Sequence, residues 1–335
     1  MRKAALVHNP DSGGSQRRRR ELESVLVLLR NRGVEAEIIS AESQVAAGEA
    51  VKRAIDGGCD TIFACGGDGT IHNIAQVLAN TPVALAALPM GTANALVHDL
   101  GLPRSVIGAA EAALTGILRR VALGRAEYRD LQGNQSARYF VIAAGMGVDA
   151  HLIYKLRNST KQRMGMAAYY AEAWHLWFSY PMTRFVAEYV ESGRNDNDND
   201  HDKDVQRAEV TELMSIRIRN FGGVVQELAP GASLDRNDMR LVFSRTASRL
   251  SYLAYVTRGL LRQSWKVPGI DLVHSTKVTC RYCEPAPGEK NQRTIYLEAD
   301  GELLGTLPAE LTVVPDALTL LAPTRSHSSK VNRRD

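Results

Sequence analysis

Cysteine is scarce. The four in 335 residues, Cys59, Cys65, Cys280 and Cys283, are spread along a chain that opens as a strand, without the charged n-region and apolar h-region of a secretory signal. That combination points to a reducing, cytoplasmic location. Cys280 and Cys283 form the single CxxC, but a spacing of three in a strand sends the side chains to opposite faces. No second pair completes a tetrahedral set, which argues against structural zinc. No apolar stretch approaches the roughly 20 residues that cross a bilayer, so any membrane contact is expected to be peripheral and transient. The GxxxxGK[ST] signature of P-loop proteins is missing. Charge of one sign is missing too: 41 Lys and Arg against 37 Asp and Glu leave a net charge of +4. Such a slight excess implies no nucleic acid and suits anionic phosphates as well as an anionic membrane surface.

What is present changes character about a third of the way along. Up to residue 124, strand-like runs (AALVHNP, VEAEIIS, DTIFACGG, VALAALP) alternate with helix-length periodic segments, the pattern of βαβ units on a parallel sheet. Residues 1–124 therefore read as an α/β domain. From 125 to 322 extended runs dominate, among them ARYFVIAAG, TRFVAEYV, MRLVFSR, KVTCRY, TIYLEAD and LTVVP, and these predict a second domain built as an antiparallel sheet or sandwich. Helical stretches interrupt it near 150–179 and 248–264. The Asn/Asp-rich stretch at 192–206 is too polar to bury and reads as a disordered loop without the spacing of an EF-hand. Residues 325–335 read as a flexible tail.

FACGGDGTIH, residues 63–72, ends a strand and opens a helix, the place where open α/β sheets bind ligands. Gly66, Gly67 and Gly69 let amides approach phosphate oxygens, and Thr70 can cap the following helix, whose N-terminus favours anions. Asp68 would repel bare phosphate. Its presence fits a carboxylate that holds Mg²⁺ or receives the proton of an attacking hydroxyl; a tight Asp-Gly turn without ligand is the alternative. Two further loops end neighbouring strands, HNPDSGGSQRRRR with Asn9, Ser12 and Gly13, and LPMGTANAL with Gly91, Thr92 and Asn94. Of the four arginines that follow the first loop, Arg17 and Arg20 are phosphate-contact candidates. GMGVDA at 145–150 mimics a dinucleotide fingerprint but lacks the βαβ unit that would follow it.

Taken together these segments resemble the diacylglycerol kinase catalytic-domain superfamily, in particular bacterial soluble lipid kinases of the YegS and DgkB type, related to sphingosine and ceramide kinases. NPDSGG, GGDGT, GTANAL, GMGVDA, ELAPGASL and EADGELLG fall in the family's order across nearly the whole chain. The resemblance implies an N-terminal α/β domain like those of NAD kinases and 6-phosphofructokinases, a C-terminal antiparallel β-sandwich, and ATP with Mg²⁺ in the cleft between them. Residues after about 318 would pack back on the first domain. It further implies that Asn9, Ser12, Gly13, Gly66 to Thr70, Gly91, Thr92 and Asn94 surround the nucleotide. Asp68 and Glu302 would hold the metal, Asp68, Asp300 or Glu302 would serve in catalysis, and Asp149 would meet the lipid headgroup. Its alternative is a turn cap. Departures occur at Ala95, at Ala122 and at 235–238, where relatives carry acidic residues.

A lipid needs a way in. Tyr170, Trp174, Trp177 and Phe178 form a helical stripe that serves either as core or as an interfacial wall. A second helix sets Leu250, Leu253, Leu260 and Leu261 beside Arg258 and Arg262, a face that can rest on anionic headgroups. The resulting expectation is an ATP- and Mg²⁺-dependent lipid kinase, with a non-catalytic binding module and a NAD-kinase-like enzyme as alternatives. A homodimer is open on the precedent of relatives.

Overall fold

The computed structural model describes residues 1–10, 15–157, 182–192, 205–222, 227–261, 263, 265–284 and 293–324. The aromatic stripe at 170–178, Arg262, Ser12, Gly13, most of the polar loop and the 325–335 tail lie outside them.

Four short apolar runs, β1 (Lys3–His8), β2 (Glu35–Ser40), β3 (Thr61–Gly66) and β4 (Ala84–Pro89), stand side by side in the order β2-β1-β3-β4, each pairing parallel to its neighbour. β3 and β4 are nearly continuous in apolar residues because helices cover both faces. On one face lie α1 (Ser15–Asn31) and, later in the chain, α5 (Val106–Thr115), which bury Leu22, Val25, Leu29 and Ala109. On the other lie α2 (Gln44–Asp56), α3 (Asp68–Leu78) and the short α4 (Ala95–Asp99), which bury Val51, Ile71, Ile74 and Leu96.

Long antiparallel strands follow. β5 (Ile117–Asp130) pairs with β6 (Gln135–Phe140); then come β7 (Ala143–Met146), α6 (Val148–Arg157), β8 (Phe185–Glu191), β9 (Gln206–Val210), β10 (Glu212–Ile216), β11 (Met239–Ser244), α7 (Arg249–Leu260), β12 (Ile270–Tyr282), β13 (Tyr296–Ala299) and β14 (Glu302–Ala322). Pairings run β14-β13-β7-β10-β11-β12, and β12 returns to β14 through Lys277–Cys280. An expected two-layer sandwich is thus a closed circuit. Closure follows because β12 and β14 each have residues to spare for a second partner, and it leaves no bare edge between the layers. Phe140, Phe185, Phe243, Leu297 and Leu311 fill the interior.

The two halves share one sheet rather than two. β14 is 21 residues long; its start closes the circuit, and its end pairs Thr319 and Leu320 in parallel with Ala84 and Leu85 of β4. Register shifts at Thr306/Ala309 and Val314/Leu318 let one strand serve both. Two further readings need correction. The run ARYFVIAAG is two strands separated at Val141 and Ile142, and β9 begins at Gln206, inside the stretch read as loop.

Arg217, just beyond β10, is fully buried at the junction of the halves. Its guanidinium donates to the carbonyls of Ala122 on β5 (2.9 Å), Arg236 (2.9 Å) and Asp238. Burial lowers its pKa to about 10, against the pull of Asp238. Removing a buried cation that satisfies three carbonyls leaves them unpaired, so Arg217→Ala is expected to cost about 3–5 kcal/mol in denaturant unfolding. A loss below about 1 kcal/mol would show that water replaces the guanidinium at no cost.

Candidate functional site

The strand ends of β3 and β4 bring two glycine loops into backbone contact. A Cβ on Gly91 would lie 2.3 Å from the Gly67 Cα, so only glycine lets these loops meet. Asn94, left-handed at φ 52°, closes its own loop by accepting from the Gly91 N–H at 2.9 Å and donating to the Gly91 carbonyl at 2.8 Å. Gly67, not Thr70, is the N-cap of α3. Thr70 sits within the first turn with its side chain against Gly66, since its backbone N–H already bonds the Gly67 carbonyl.

Asp68 opens α3 and turns toward α4, where its carboxylate accepts the N–H groups of Asn94, Ala95 and Leu96, the last at 3.4 Å. Burial pushes its carboxyl above the usual range, and the nearby Asp300 adds to that, while the amides of Ala95, Leu96 and Asn94 pull the other way. Ala95 thus contributes its backbone amide to the Asp68 carboxylate.

Asp300 and Gly301 form the hairpin turn between β13 and β14, both with positive φ (50° and 82°) as a two-residue turn requires. Asp300 accepts the N–H groups of Val141 (2.8 Å), Ile142 (2.8 Å) and Ala143 (3.0 Å) and lies 3.1 Å from His72 Nδ1, with 1% of its side chain exposed. Four donors saturate its carboxylate, which makes it an anchor. Glu302, two residues on, is half-buried, and its Oε1 lies 3.3 Å from where a Cβ of Gly69 would stand. Glu302 therefore faces the GGDGT loop across the junction, and among the described residues its carboxylate takes no hydrogen bond.

His72 was not singled out in the sequence, though its signal was present: it stands four residues after Asp68, hence on the same face of α3. Glu298 and Glu212 were missed as well. Glu298 lies in β13 two residues before the turn residue Asp300, and its Oε2 accepts the Gly301 N–H at 2.9 Å. Its carboxyl is held well above the usual range by burial first, then by Asp149, Asp300 and Glu302. A line of acids thus runs from Asp68 through Asp300, Glu302 and Glu298 to Asp149 at the start of α6.

Two cavities flank the glycine contact. One, of about 480 Å³, is lined by His8, Asn9, Arg18, Arg19, Ser40 and Met90 among others. Another, of about 390 Å³, is lined by Thr92, Asn94, His98, Arg104 and Phe221 among others. Asn9 and Thr92 therefore border different cavities. Neighbours Pro89 and Met90 face opposite ways at the end of β4. Of the arginines, Arg18 and Arg19 line the first cavity, whereas Arg17 is 89% exposed and pairs with Glu21 along the helix, and Arg20 is exposed. Within the 235–238 departure, Asp238 bonds Arg236 and His274. Burial opposes its charge, but these two partners hold it below the usual carboxylate range.

Residues 3–126 match the family described as the diacylglycerol kinase catalytic domain. The chain is 26% identical to a diacylglycerol kinase of Bacillus subtilis over 92% of its own length and 93% of that protein. It is 25% identical to one of Staphylococcus aureus over 96% and 93%. Among solved structures, a diacylglycerol kinase from Bacillus anthracis superposes with a TM-score of 0.66 at 18% identity, covering 96% of each chain, which shows the shared fold.

An anchoring Asp300 has a measurable consequence. In Asp300→Asn one acceptor becomes a donor pointed at backbone N–H groups, so stability is expected to fall by about 2–4 kcal/mol in denaturant unfolding. A variant that unfolds like the wild type would return Asp300 to the list of reacting groups.

Proposed function

From the match of residues 3–126 to the diacylglycerol kinase catalytic-domain family we propose that the protein is a member of that family and an ATP- and Mg²⁺-dependent lipid kinase. It transfers the γ-phosphate to the hydroxyl of diacylglycerol or a similar lipid. The observation that carries this reading is the approach of Glu302 to Gly69 beside Asp68, two carboxylates on one glycine loop at a helix start. Phosphates lie along Gly66, Gly67 and Gly91, where bare backbone and the α3 N-terminus favour anions. The base and ribose occupy the cavity beside Asn9, with Arg18 and Arg19 at its wall.

The residues present fit a metal. Mg²⁺ typically takes one or two protein carboxylates with phosphate oxygens and waters, and two are what Asp68 and Glu302 supply. When bound there it neutralises charge between the phosphates. Burial of Asp68 without a countercharge favours such a cation. The lipid oxygen forms its bond to the γ-phosphorus as the bond to the bridging oxygen of ADP breaks, and its proton passes to a carboxylate, Glu302 or Asp68. Asp149 meets the lipid headgroup.

Lipid access draws on α7. Leu250 is 77% exposed, Leu261 58% and Trp265 43%, which supports peripheral contact with a membrane. Arg258 takes no part: it is buried, stacks on Tyr255 at 4.6 Å and donates to the Leu228 carbonyl. The basic face expected of this helix thus loses Arg258 to the core.

Transfer of labelled γ-phosphate from ATP to lipids in mixed micelles tests the reaction. Asp68→Asn is expected to lower kcat by roughly a hundredfold or more while the protein stays folded. ATP binding without labelling of any lipid would instead favour a binding module. Separately, Leu250→Asp is expected to weaken sedimentation with anionic vesicles severalfold, because about 1–2 kcal/mol of apolar burial is lost; unchanged sedimentation would move the contact elsewhere.

A further inference from the structure

The entry into α6 holds a pair of carboxyls that the nucleotide site does not use. Gly147, at φ 122°, turns the chain from β7 into α6, and Glu212 at the start of β10 lies beneath that turn. Its Oε2 accepts the Val148 N–H, its Oε1 accepts the Asp149 N–H at 3.4 Å, and its carboxyl hydrogen-bonds that of Asp149. The glycines beside the pair belong to the fit. A Cβ on Gly145 would stand 1.8 Å from Asp149 Oδ2, and one on Gly147 would stand 2.4 Å from Glu212 Oε2.

Carboxyls in hydrogen-bond contact cannot both be ionised without strong repulsion, so the pair shares one proton. Access decides where each form sits. Glu212 is 1% exposed, whereas Asp149 is only half-buried. Burial raises both carboxyls: Glu212, with Asp149 adding to the push, stands well above the usual carboxylate range, and Asp149 is raised as well, its bond to Glu212 offsetting part of the effect of burial. The better-buried position, that of Glu212, is where the shared proton is held at least cost, and the more accessible Asp149 is where the charge is best solvated. Glu298 on β13 and Tyr252 on α7 face the pair, and His151 on α6 tilts against Tyr154 and Tyr296 alongside.

We propose that Glu212 is a positioning residue of the lipid site: as the neutral acid it donates to Asp149 and fixes the single charged carboxylate that meets the hydroxyl-bearing lipid headgroup. This rests on the reading of Asp149 as the headgroup contact. Loss of the shared proton would set two negative charges against each other at the mouth of α6. It would also remove the bond that orients Asp149.

Two variants separate orientation from mere packing. Glu212→Gln keeps an oxygen for the Val148 amide and a permanent N–H for the Asp149 carboxylate, as the protonated acid does, and gives up only the long bond from the Asp149 N–H; Glu212→Ala removes all three. Lipid and ATP kinetics would be measured from about pH 6 to 9. In the wild type the lipid KM is expected to rise toward the alkaline end. The Gln variant stays within roughly fivefold in kcat/KM at neutral pH and lacks that rise, and the Ala variant raises the lipid KM about tenfold or more with the ATP KM unmoved. Thermal unfolding reads the same proton without lipid. A carboxyl kept neutral by the fold contributes stability that is full below its unfolded value and declines as pH climbs toward the folded one, so the wild type loses more Tm on alkalinisation than Glu212→Gln. Superimposable Tm–pH curves for those two proteins overturn the proposal, as does an equal rise of lipid KM in the Gln and Ala variants. If the wild type labels no lipid while the curves diverge as described, the role at the lipid falls with the kinase reading, and the shared proton stands.

Discussion

Four hydrogen-bond donors converge on one buried carboxylate, and the geometry around the site descends from that. Asp300 bonds three successive N–H groups at Val141–Ala143 and the ring of His72, so the β13–β14 turn, the break between β6 and β7, and helix α3 meet at one point. A polar group removed from water is tolerated only with such complete partnering. Because α3 also begins with Asp68, the same carboxylate that fixes His72 fixes the helix that carries the glycine loop. Because Glu302 follows in the same turn, its approach to Gly69 is set by the anchor as well. The break at Val141 and Ile142, which no strand propensity would suggest, frees the backbone N–H groups that Asp300 takes.

Much of this was legible in the sequence, for identifiable reasons. Parallel strands β1 to β4 announce themselves as apolar runs separated by amphipathic helices, and the glycine loops lie where strands give way to helices. Asp-Gly between extended runs is a hairpin signal as well as part of the family-like segment, and it falls at the β13–β14 turn. What stayed hidden depends on partners distant in sequence. Nothing near residue 300 says that its carboxylate is spent on N–H groups some 160 positions earlier, so Asp300 looked as available as Glu302. The closure of β12 onto β14 was equally invisible, since strand pairing is decided by spare edges and register, not by composition. Arg258 misled in the opposite sense: helical spacing places it beside leucines, but Tyr255 and the Leu228 carbonyl draw it inward.

Electrostatics divide the molecule unevenly. At the junction, buried Arg217 binds three carbonyls, and Asp238 is matched by Arg236 and His274. Around α3 and α6 the balance is reversed, with Asp68, Asp149, Glu212 and Glu298 all raised by burial and facing more carboxyls than cations. Concentrating like charge in this way destabilises the folded chain, and groups displaced upward in pKa are common where protons or cations are handled. An acidic lining also bears on the departure at Ala95. An acid there would add to a field already short of cations, and its absence leaves Asp68 and Glu302 as the pair on which a metal would depend.

Within the proposed transfer, geometry favours a division of labour between those two. Asp68 is committed to the amides that open α4, so its orientation is fixed, which suits a metal ligand. Glu302 hangs from the hairpin by its backbone, is half-buried, and takes no hydrogen bond among the described residues, so it can follow an incoming hydroxyl. A base in a loose phosphoryl transfer need only accept the proton late, after the bridging bond has weakened, and mobility costs it little. Holding one carboxylate and freeing the other is what a saturated Asp300 achieves, because it fixes the turn with oxygens already taken by four donors.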